Sequence, residues 1–354
     1  MAGGKGERFW PQSRQKMPKQ LLPIVGDTSL LAQTITRLGD LVPKKNIFVV
    51  TNADYLQAVV DACPMLDREN IVAEPVGRDT AAAVGLGCVL VRRRDPGACF
   101  AILPSDHVIH DCDGFRRVLS NAFEVAASED ALITIGIQPE FPATGYGYIN
   151  KGDECMRLDD FPVYSVRKFV EKPTLELARK YVNSGQYYWN AGMFIWSAAS
   201  LFKALEKHTP ALHAGLVAIE QDLDSGKPLG EVLAARYPAL DKISIDYALM
   251  EKAGNVLMVP GLFDWDDVGS WPSLFKHLPH DPSGNVTRGD AYVLDGANNV
   301  VIGSDGHLVT LMGLSNCIVV HTKDVTMVCP KDRAQDIKKL VAEVSKNPAW
   351  NGHV

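Results

Sequence analysis

Phe100-Ala101-Ile102-Leu103-Pro104-Ser105-Asp106-His107 sets a short apolar run directly against a proline, a serine and an acid. Four apolar residues closed by a turn signal read as a strand buried on both faces. The stretch before it, Thr80 to Arg93, has helical character, and so has the stretch after it, Phe115 to Ala127. The same alternation runs outward in both directions. Ile47-Phe48-Val49-Val50, Ile71-Val72-Ala73 and Ala131-Leu132-Ile133-Thr134-Ile135 are strand-like, while Ser29 to Leu41 and Asp54 to Cys63 are helix-like. Strands and helices taking turns predict βαβ units, hence an α/β fold with a mainly parallel sheet covered on both faces. Ligands of such a sheet sit beyond the carboxyl ends of its strands, which makes Asp106 the first side chain to inspect.

The chain has 354 residues, 46% of them hydrophobic, enough for one large domain and a smaller one. We place the larger at residues 1–280 and the smaller at 281–354. No apolar stretch of eighteen residues and no leader pattern are visible, so a cytoplasmic location without membrane association is expected. Seven cysteines, an odd number without a Cys-x-x-Cys pair, read as small buried hydrophobes of a reducing compartment. A net charge of -6 and a pI near 5.9 argue against nucleic acid. Arg92-Arg93-Arg94 is better placed at the end of a helix, where cations complement the dipole.

Against that acidic background the first twenty residues carry Lys5, Arg8, Arg14, Lys16 and Lys19 but a single acid, Glu7. Within them, Ala2-Gly3-Gly4-Lys5-Gly6-Glu7-Arg8-Phe9-Trp10-Pro11 and Pro18-Lys19-Gln20 join glycines, which let a backbone approach a bulky anion, to cations that match a polyphosphate. No Gly-Lys-Ser/Thr closes the loop, so it is not a P-loop. A phosphate-cradling loop normally emerges from a strand, and none stands between Met1 and Gly3. We therefore expect that strand to lie upstream, with Met1 at its end.

From about Asp281 the texture changes to short strand-like pieces, among them Ala291-Tyr292-Val293-Leu294, Val300-Val301-Ile302 and Ile318-Val319-Val320, punctuated by Asp295-Gly296 and Asp305-Gly306. A small β domain is predicted there, then a terminal helix from about Lys331 to Lys346. No run of hexapeptide repeats stands out, and little chain follows for a further enzyme domain.

Phe263-Asp264-Trp265-Asp266-Asp267-Val268-Gly269-Ser270-Trp271 supplies more carboxylates. Magnesium binds through one or two carboxylates plus substrate phosphates, and Asp106 with Asp267 is the expected pair. Either aspartate taken alone reads as a helix cap or turn residue. Asp264 and Asp266 read as turn or supporting residues, and Asp246 equally as a helix cap or as support near the metal. His107 reads as a structural, hydrogen-bonding histidine. Before Pro173, Glu171 and Lys172 are expected in extended backbone, aimed off a strand end.

In eight ordered blocks the chain resembles the nucleotide-sugar pyrophosphorylases, specifically the bacterial mannose-1-phosphate guanylyltransferases. The glycine loop with Pro18-Lys19-Gln20 is the first; Glu74-Pro75-Val76-Gly77-Arg78-Asp79-Thr80-Ala81 and Leu103-Pro104-Ser105-Asp106-His107 follow. Next come Thr144-Gly145-Tyr146-Gly147-Tyr148-Ile149, Phe169-Val170-Glu171-Lys172-Pro173 and Trp189-Asn190-Ala191-Gly192-Met193-Phe194. Ser244-Ile245-Asp246-Tyr247-Ala248-Leu249-Met250-Glu251-Lys252 and Asp267-Val268-Gly269-Ser270-Trp271 complete the set.

The resemblance implies a Rossmann-like, nucleotidyltransferase-type sheet and a C-terminal domain like a left-handed β-helix. It also implies a homodimer that converts GTP and mannose 1-phosphate to GDP-mannose and pyrophosphate with Mg2+. By the same resemblance Ala2, Gly3, Gly4, Gly6, Glu7, Glu74, Asp79, Thr80 and Pro104 hold the nucleotide, with Arg8 and Lys19 on its phosphates. Gly145, Tyr146, Glu171, Asn190 and Gly192 line the sugar pocket, Lys172 meets the sugar phosphate, and Asp106 and Asp267 hold the metal. Asp79 stands where many relatives carry asparagine. A same-class enzyme using another nucleotide or sugar phosphate, and a catalytically silent sugar-nucleotide sensor of the same fold, are the alternatives.

Overall fold

A computed structural model describes residues 1–4, 6–158 and 161–354. In chain order the first part comprises α1 (Leu30–Arg37), β1 (Val49–Asn52), α2 (Leu56–Ala62), β2 (Ile71–Glu74), α3 (Asp79–Arg94), β3 (Cys99–Ile102), α4 (Cys112–Ser128) and β4 (Leu132–Ile137). It continues through β5 (Tyr148–Leu158), β6 (Phe161–Val170), α5 (Leu175–Ser184), β7 (Tyr187–Ser197), α6 (Ala198–His208), α7 (Pro210–Asp224), α8 (Leu229–Arg236) and β8 (Val256–Pro260). Ser29 caps α1 by accepting from Ala32 N, and Asp111 caps α4 by accepting from Gly114 N, each satisfying an amide that the first turn leaves free.

Six strands form one sheet in the order β3-β7-β4-β8-β6-β5. β3, β4 and β8 share one direction, because β7 pairs antiparallel with both β3 and β4 while β4 and β8 pair in parallel. The insertion of β7, and the antiparallel pairing of β6 with β8, is not visible in the local apolar pattern; it is decided by which edge a returning strand finds open. One face packs on α3 and α6–α8, the other on α4. α3 is buried from Ala81 to Leu90, and α7 lies so near it that a Cβ on Gly85 would stand 2.3 Å from Leu216 Cδ1.

β1 and β2 pair in parallel as a separate two-stranded sheet. Between β1 and β3 lies a cavity of about 450 Å3 lined by Met1, Val49, Val50, Phe100, Ile102 and Leu103 among others. The chain enters this slot at its first residues: Ala2 bridges Thr51 in parallel, Ala2 N donates to Val50 O, and the Met1 ammonium donates to Leu103 O. The slot is thus flanked on both sides by strands.

Beyond residue 280, β9 (Val286–Arg288), β11 (Val300–Ile302) and β13 (Cys317–His321) stack in parallel, with β14 (Thr326–Pro330) antiparallel to β13. β10 (Ala291–Leu294) and β12 (Val309–Met312) stack in parallel as a second face. Each circuit of the chain adds a strand to each face, the pattern of a β-helix. Stacked Asn285 and Asn299 fill a corner: Asn299 Nδ2 donates to Asn285 Oδ1 at 2.9 Å, and Asn299 Oδ1 accepts from Cys317 N. α9 (Ile337–Val344) follows; it is shorter than the helix read from sequence, since Lys331–Asp336 forms a 3-10 turn. Phe9, Trp10 and Ile24 share one core with Val286, Val300, Ile318 and Ile337, so the β-helix packs directly behind the glycine loop.

Candidate active site

Gly6 adopts φ 64°, and Lys19 crosses it so closely that a Cβ there would be 2.3 Å from Lys19 Cβ. Only glycine meets both demands. Ser13 Oγ donates to Gly6 O, and Phe9 packs edge-on against Trp271 at 5.0 Å, which anchors the loop from below. Lys5 lies outside the described residues. Lys19 starts a 3-10 turn after Pro18 and is buried. Its ammonium donates to Asp106 Oδ2 at 3.0 Å and to Asp267 O at 2.5 Å.

The two acidic stretches meet because Val108 and Asp266 exchange backbone hydrogen bonds, Val108 N to Asp266 O at 2.9 Å and Asp266 N to Val108 O at 3.1 Å. That bridge brings Asp106 and Asp267 to the same ammonium. Burial alone would raise the Asp106 carboxyl, but Lys19 and His107 beside it bring it down to about 2. Asp106 is therefore ionised at neutral pH, with 40% of its side chain still exposed. Asp267 Oδ1 accepts from Tyr146 Oη at 2.6 Å. Arg8 Nη1 donates to Gly269 O at 2.9 Å; a Cβ on Gly269 would be 3.3 Å from that nitrogen and 3.2 Å from Asp267 Oδ2, so the guanidinium and the carboxylate flank the same glycine.

Val268 stands between them with φ 44°, an outlier for a β-branched residue. It is held there by full burial and by its N–H, which donates to Asp266 Oδ1 at 2.6 Å. Asp266 also faces His277 at 3.4 Å, and Asp264 accepts from the backbone N–H groups of His110 and Asp111. Both acids are thus structural supports of the turn. His107, lowered chiefly by burial, accepts from Trp265 Nε1 at 3.1 Å through Nδ1.

A second group of predicted residues gathers over Gly147, where a Cβ would be 2.5 Å from Glu171 Oε2 and 3.3 Å from Asn190 Cβ. Lys172 Nζ pairs with Glu171 Oε1 at 2.8 Å. Lys172 is not extended, as the proline after it leads one to expect, but left-handed at φ 46°; the ion pair and the turn out of β6 override the local preference. Gly192 takes φ 65°, close to Pro104, and Gly145 is open on its Cβ side. Tyr146, expected beside the sugar, packs against Trp189 and Trp265 and donates its hydroxyl to Asp267. Asp246 is not a helix cap. It opens a π-helical turn, Asp246–Met250, and its Oδ1 accepts from Asn190 Nδ2 at 3.0 Å.

A third group surrounds the start of α3. Glu74 is buried, where desolvation raises its carboxyl and the hydroxyl of Tyr237 donates to it; a Cβ on Gly3 would be 3.8 Å from its Oε2. Asp79 takes φ 63° and accepts from Thr80 N, while Thr80 Oγ1 accepts from Ile245 N at 2.8 Å. Gly4 is open on its Cβ side, and Glu7 begins a 3-10 turn. Tyr237, Gln20 (which donates to Ala2 O) and Trp271 (which donates to Trp10 O) are supports that the sequence reading missed. Gln20 and Trp271 stand within the blocks of the resemblance, but their supporting roles are defined, like that of Tyr237, by partners far away in the chain.

Residues 1–283 match the nucleotidyl transferase family, and residues 289–344 match the MannoseP isomerase/GMP-like beta-helix domain. The mannose-1-phosphate guanylyltransferase of Escherichia coli strain K12 is 38% identical over 352 residues, covering 97% of this chain and 72% of that protein. The protein of the same name from Klebsiella pneumoniae is 38% identical over 349 residues, covering 98% and 73%. A crystal structure from Thermus thermophilus, named as a mannose-1-phosphate geranyltransferase, superposes with TM-score 0.84 at 36% identity over 98% of both chains. Likeness of this depth, sustained from the glycine loop through the β-helix, goes beyond a shared fold: the chain belongs to the nucleotidyl transferase family and, within it, to the mannose-1-phosphate guanylyltransferases.

Proposed function

We infer that the protein makes GDP-mannose from GTP and mannose 1-phosphate. An oxygen of the sugar phosphate attacks the α-phosphorus of GTP, the bond from that phosphorus to the oxygen bridging to the β-phosphate breaks, and pyrophosphate leaves. The observation that carries this reading is the meeting of Lys19, Asp106 and Asp267, from three distant stretches, beside a glycine loop and Arg8.

The sugar phosphate is already largely dianionic near neutral pH, its second pKa being about 6, so no general base is needed. What must be overcome is repulsion between two polyanions and the charge gathering on the leaving group, which is a task for fixed cations and positioning. We assign Arg8 and Lys19 to the triphosphate and Lys172 to the sugar phosphate. Ala2, Gly3, Gly4, Gly6 and Glu7 shape the phosphate cradle; Glu74, Asp79, Thr80 and Pro104 border the base and ribose. Gly145, Glu171, Asn190 and Gly192 receive the sugar, with Tyr146 orienting Asp267.

The donor set suits a hard dication. Asp106 offers a carboxylate oxygen and Asp267 its backbone carbonyl to the Lys19 ammonium, and the Asp267 carboxylate lies beside Tyr146 and Gly269. Among the described residues no cluster of three or more His, Cys, Asp or Glu side chains forms a closed metal site. Magnesium takes one or two carboxylates and completes its shell with phosphates and water. When bound, the ion neutralises charge on the phosphates. Asp106, ionised, and Asp267, aimed by Tyr146, are the residues that would hold it.

We place the reaction in the cytoplasm, where the free cysteines stay reduced; among the described residues no helix is long and apolar enough to cross a membrane. The outer face of β10 and β12 exposes Tyr292, Leu294 and Met312, and a homodimer is the assembly we assign to it. The decisive experiment measures pyrophosphate release with GTP and mannose 1-phosphate in the presence of Mg2+, replacing each nucleotide and sugar in turn. Rapid turnover confined to this pair is expected. Equal rates with UTP and glucose 1-phosphate, or no turnover at all, would overturn the assignment.

A further inference from the structure

We propose that Asp246 is a positioning residue of the sugar-phosphate pocket, holding the Asn190 amide in one orientation and tying that pocket to the nucleotide-binding start of α3. The idea rests on the site reading above and assigns a role to a residue that the reaction itself does not require.

The segment before Asp246 is stitched to α3 at two points: Ala81 N donates to Ile243 O at 3.1 Å, and Ile245 N donates to Thr80 Oγ1 at 2.8 Å. One residue later the chain enters the π-helical turn Asp246–Met250, a rare geometry that recurs at functional sites. The wide turn directs Asp246 at β7, where its Oδ1 accepts from Asn190 Nδ2 at 3.0 Å. The other end of that amide is also committed, since Asn190 Oδ1 accepts from Gly192 N at 3.0 Å. With an acceptor fixed on one side and a donor on the other, the amide cannot exchange its ends. One N–H of Asn190 remains for a sugar hydroxyl.

β7 needs this outside brace because its own ladder is irregular at this point. The register between β4 and β7 shifts between Thr134 and Gly136, next to Asn190, and Gly192 turns left-handed. Glu171 and Lys172 face Asp246 from the end of β6, and the Tyr247 phenol lies beside Lys172. Burial, with Glu171 adding to it, pushes the Asp246 carboxyl up to about 6 against the pull of Lys172 and Asn190. It therefore titrates in the range where a sugar phosphate takes up its own proton.

The test compares Asp246→Ala with Asp246→Asn, and both with Asn190→Ala, varying mannose 1-phosphate and GTP separately. Asp246→Ala should raise KM for the sugar phosphate about tenfold while KM for GTP stays within about twofold. The amide oxygen of Asp246→Asn still accepts from Asn190, so this variant should recover most of the loss, and its kcat/KM for the sugar phosphate should vary less steeply around pH 6 than that of wild type, keeping only the part due to the substrate's own ionisation. The double variant Asp246→Ala/Asn190→Ala should be no worse than Asn190→Ala alone. Calorimetric titration of a GTP analogue carbon-bridged between its α- and β-phosphates, and then of mannose 1-phosphate in its presence, reads the same split without turnover. A wild-type protein inactive with both substrates would thus count against the proposed function and still leave this proposal open to test. Equal KM increases for both substrates, an additive double variant, or Asp246→Asn behaving like Asp246→Ala would sink it.

Discussion

Asp106 carries a charge that its surroundings both resist and require. Burial opposes ionisation, while Lys19 and His107 favour it strongly enough to bring the carboxyl to about 2. Because that is below the ordinary carboxylate value, the pairing contributes stability above about pH 4 and loses it as pH falls toward 2. Urea titrations at pH 5 and pH 2.5 should show a smaller acid-induced loss for Asp106→Asn than for wild type; identical losses would argue against the pairing. For turnover, Asp106→Asn and Asp267→Asn should each lower kcat by about a hundredfold or more, as removal of a fixed charge-stabilising group does. Circular dichroism of each variant separates this from misfolding. Val268 illustrates the accompanying strain: a buried β-branched side chain keeps φ at 44°, so that the carboxylate before it and the glycine after it both face Arg8.

At the scale of elements, the glycine loop and the turn at Lys19 are a single unit. Placing a methyl group on Gly6 meets Lys19 Cβ at 2.3 Å and its backbone N at 2.9 Å, on a residue that already has φ 64°. Gly6→Ala is expected to destabilise the protein by about 1–3 kcal/mol and to raise KM for GTP more than KM for the sugar phosphate, measured by thermal melts and steady-state kinetics. The slot between β1 and β3 makes a different prediction. Its walls are mostly apolar, with Thr34, Asn46 and Ser105 among the exceptions, and both flanking strands present an edge to it, so four extended, β-branched residues fused ahead of Met1 should fill it. Burial on the order of 2 kcal/mol per side chain should raise Tm by several degrees. An unchanged Tm would show that the slot does not accept a strand.

The whole molecule is held together across the boundary between its two parts. One core runs from Phe9, Trp10 and Ile24 to Val286, Val300 and Ile337. Arg288 Nη1 donates to Pro23 O at 2.6 Å and to Ile24 O at 3.1 Å, and Arg14 pairs with Asp324 at 2.8 Å. The β-helix thus supports the back of the loop that carries Arg8. A calorimetric scan is expected to show one cooperative transition, and separate melting of the β-helix below the main transition would contradict this. Among the described residues the shared core is apolar in nature, so added salt should leave that cooperativity unchanged.

Much of this was readable from the chain alone. The alternation of apolar runs and helical stretches located β2, β3, β4 and α3 because burial gives each segment an apolar run whose length it displays by itself. The glycines and cations of the first twenty residues, and an acid at the end of β3, marked the site for the same reason: backbone freedom and charge are properties of the residue. Tertiary structure alone decided which groups meet. Asp106 reaches Asp267 through the Val108–Asp266 bridge, Tyr146 turns to Asp267, Lys172 leaves the extended region, and Asp246 reaches Asn190. Each of these depends on a partner distant in sequence, and a local pattern encodes the shape of a segment but not the identity of what it will touch.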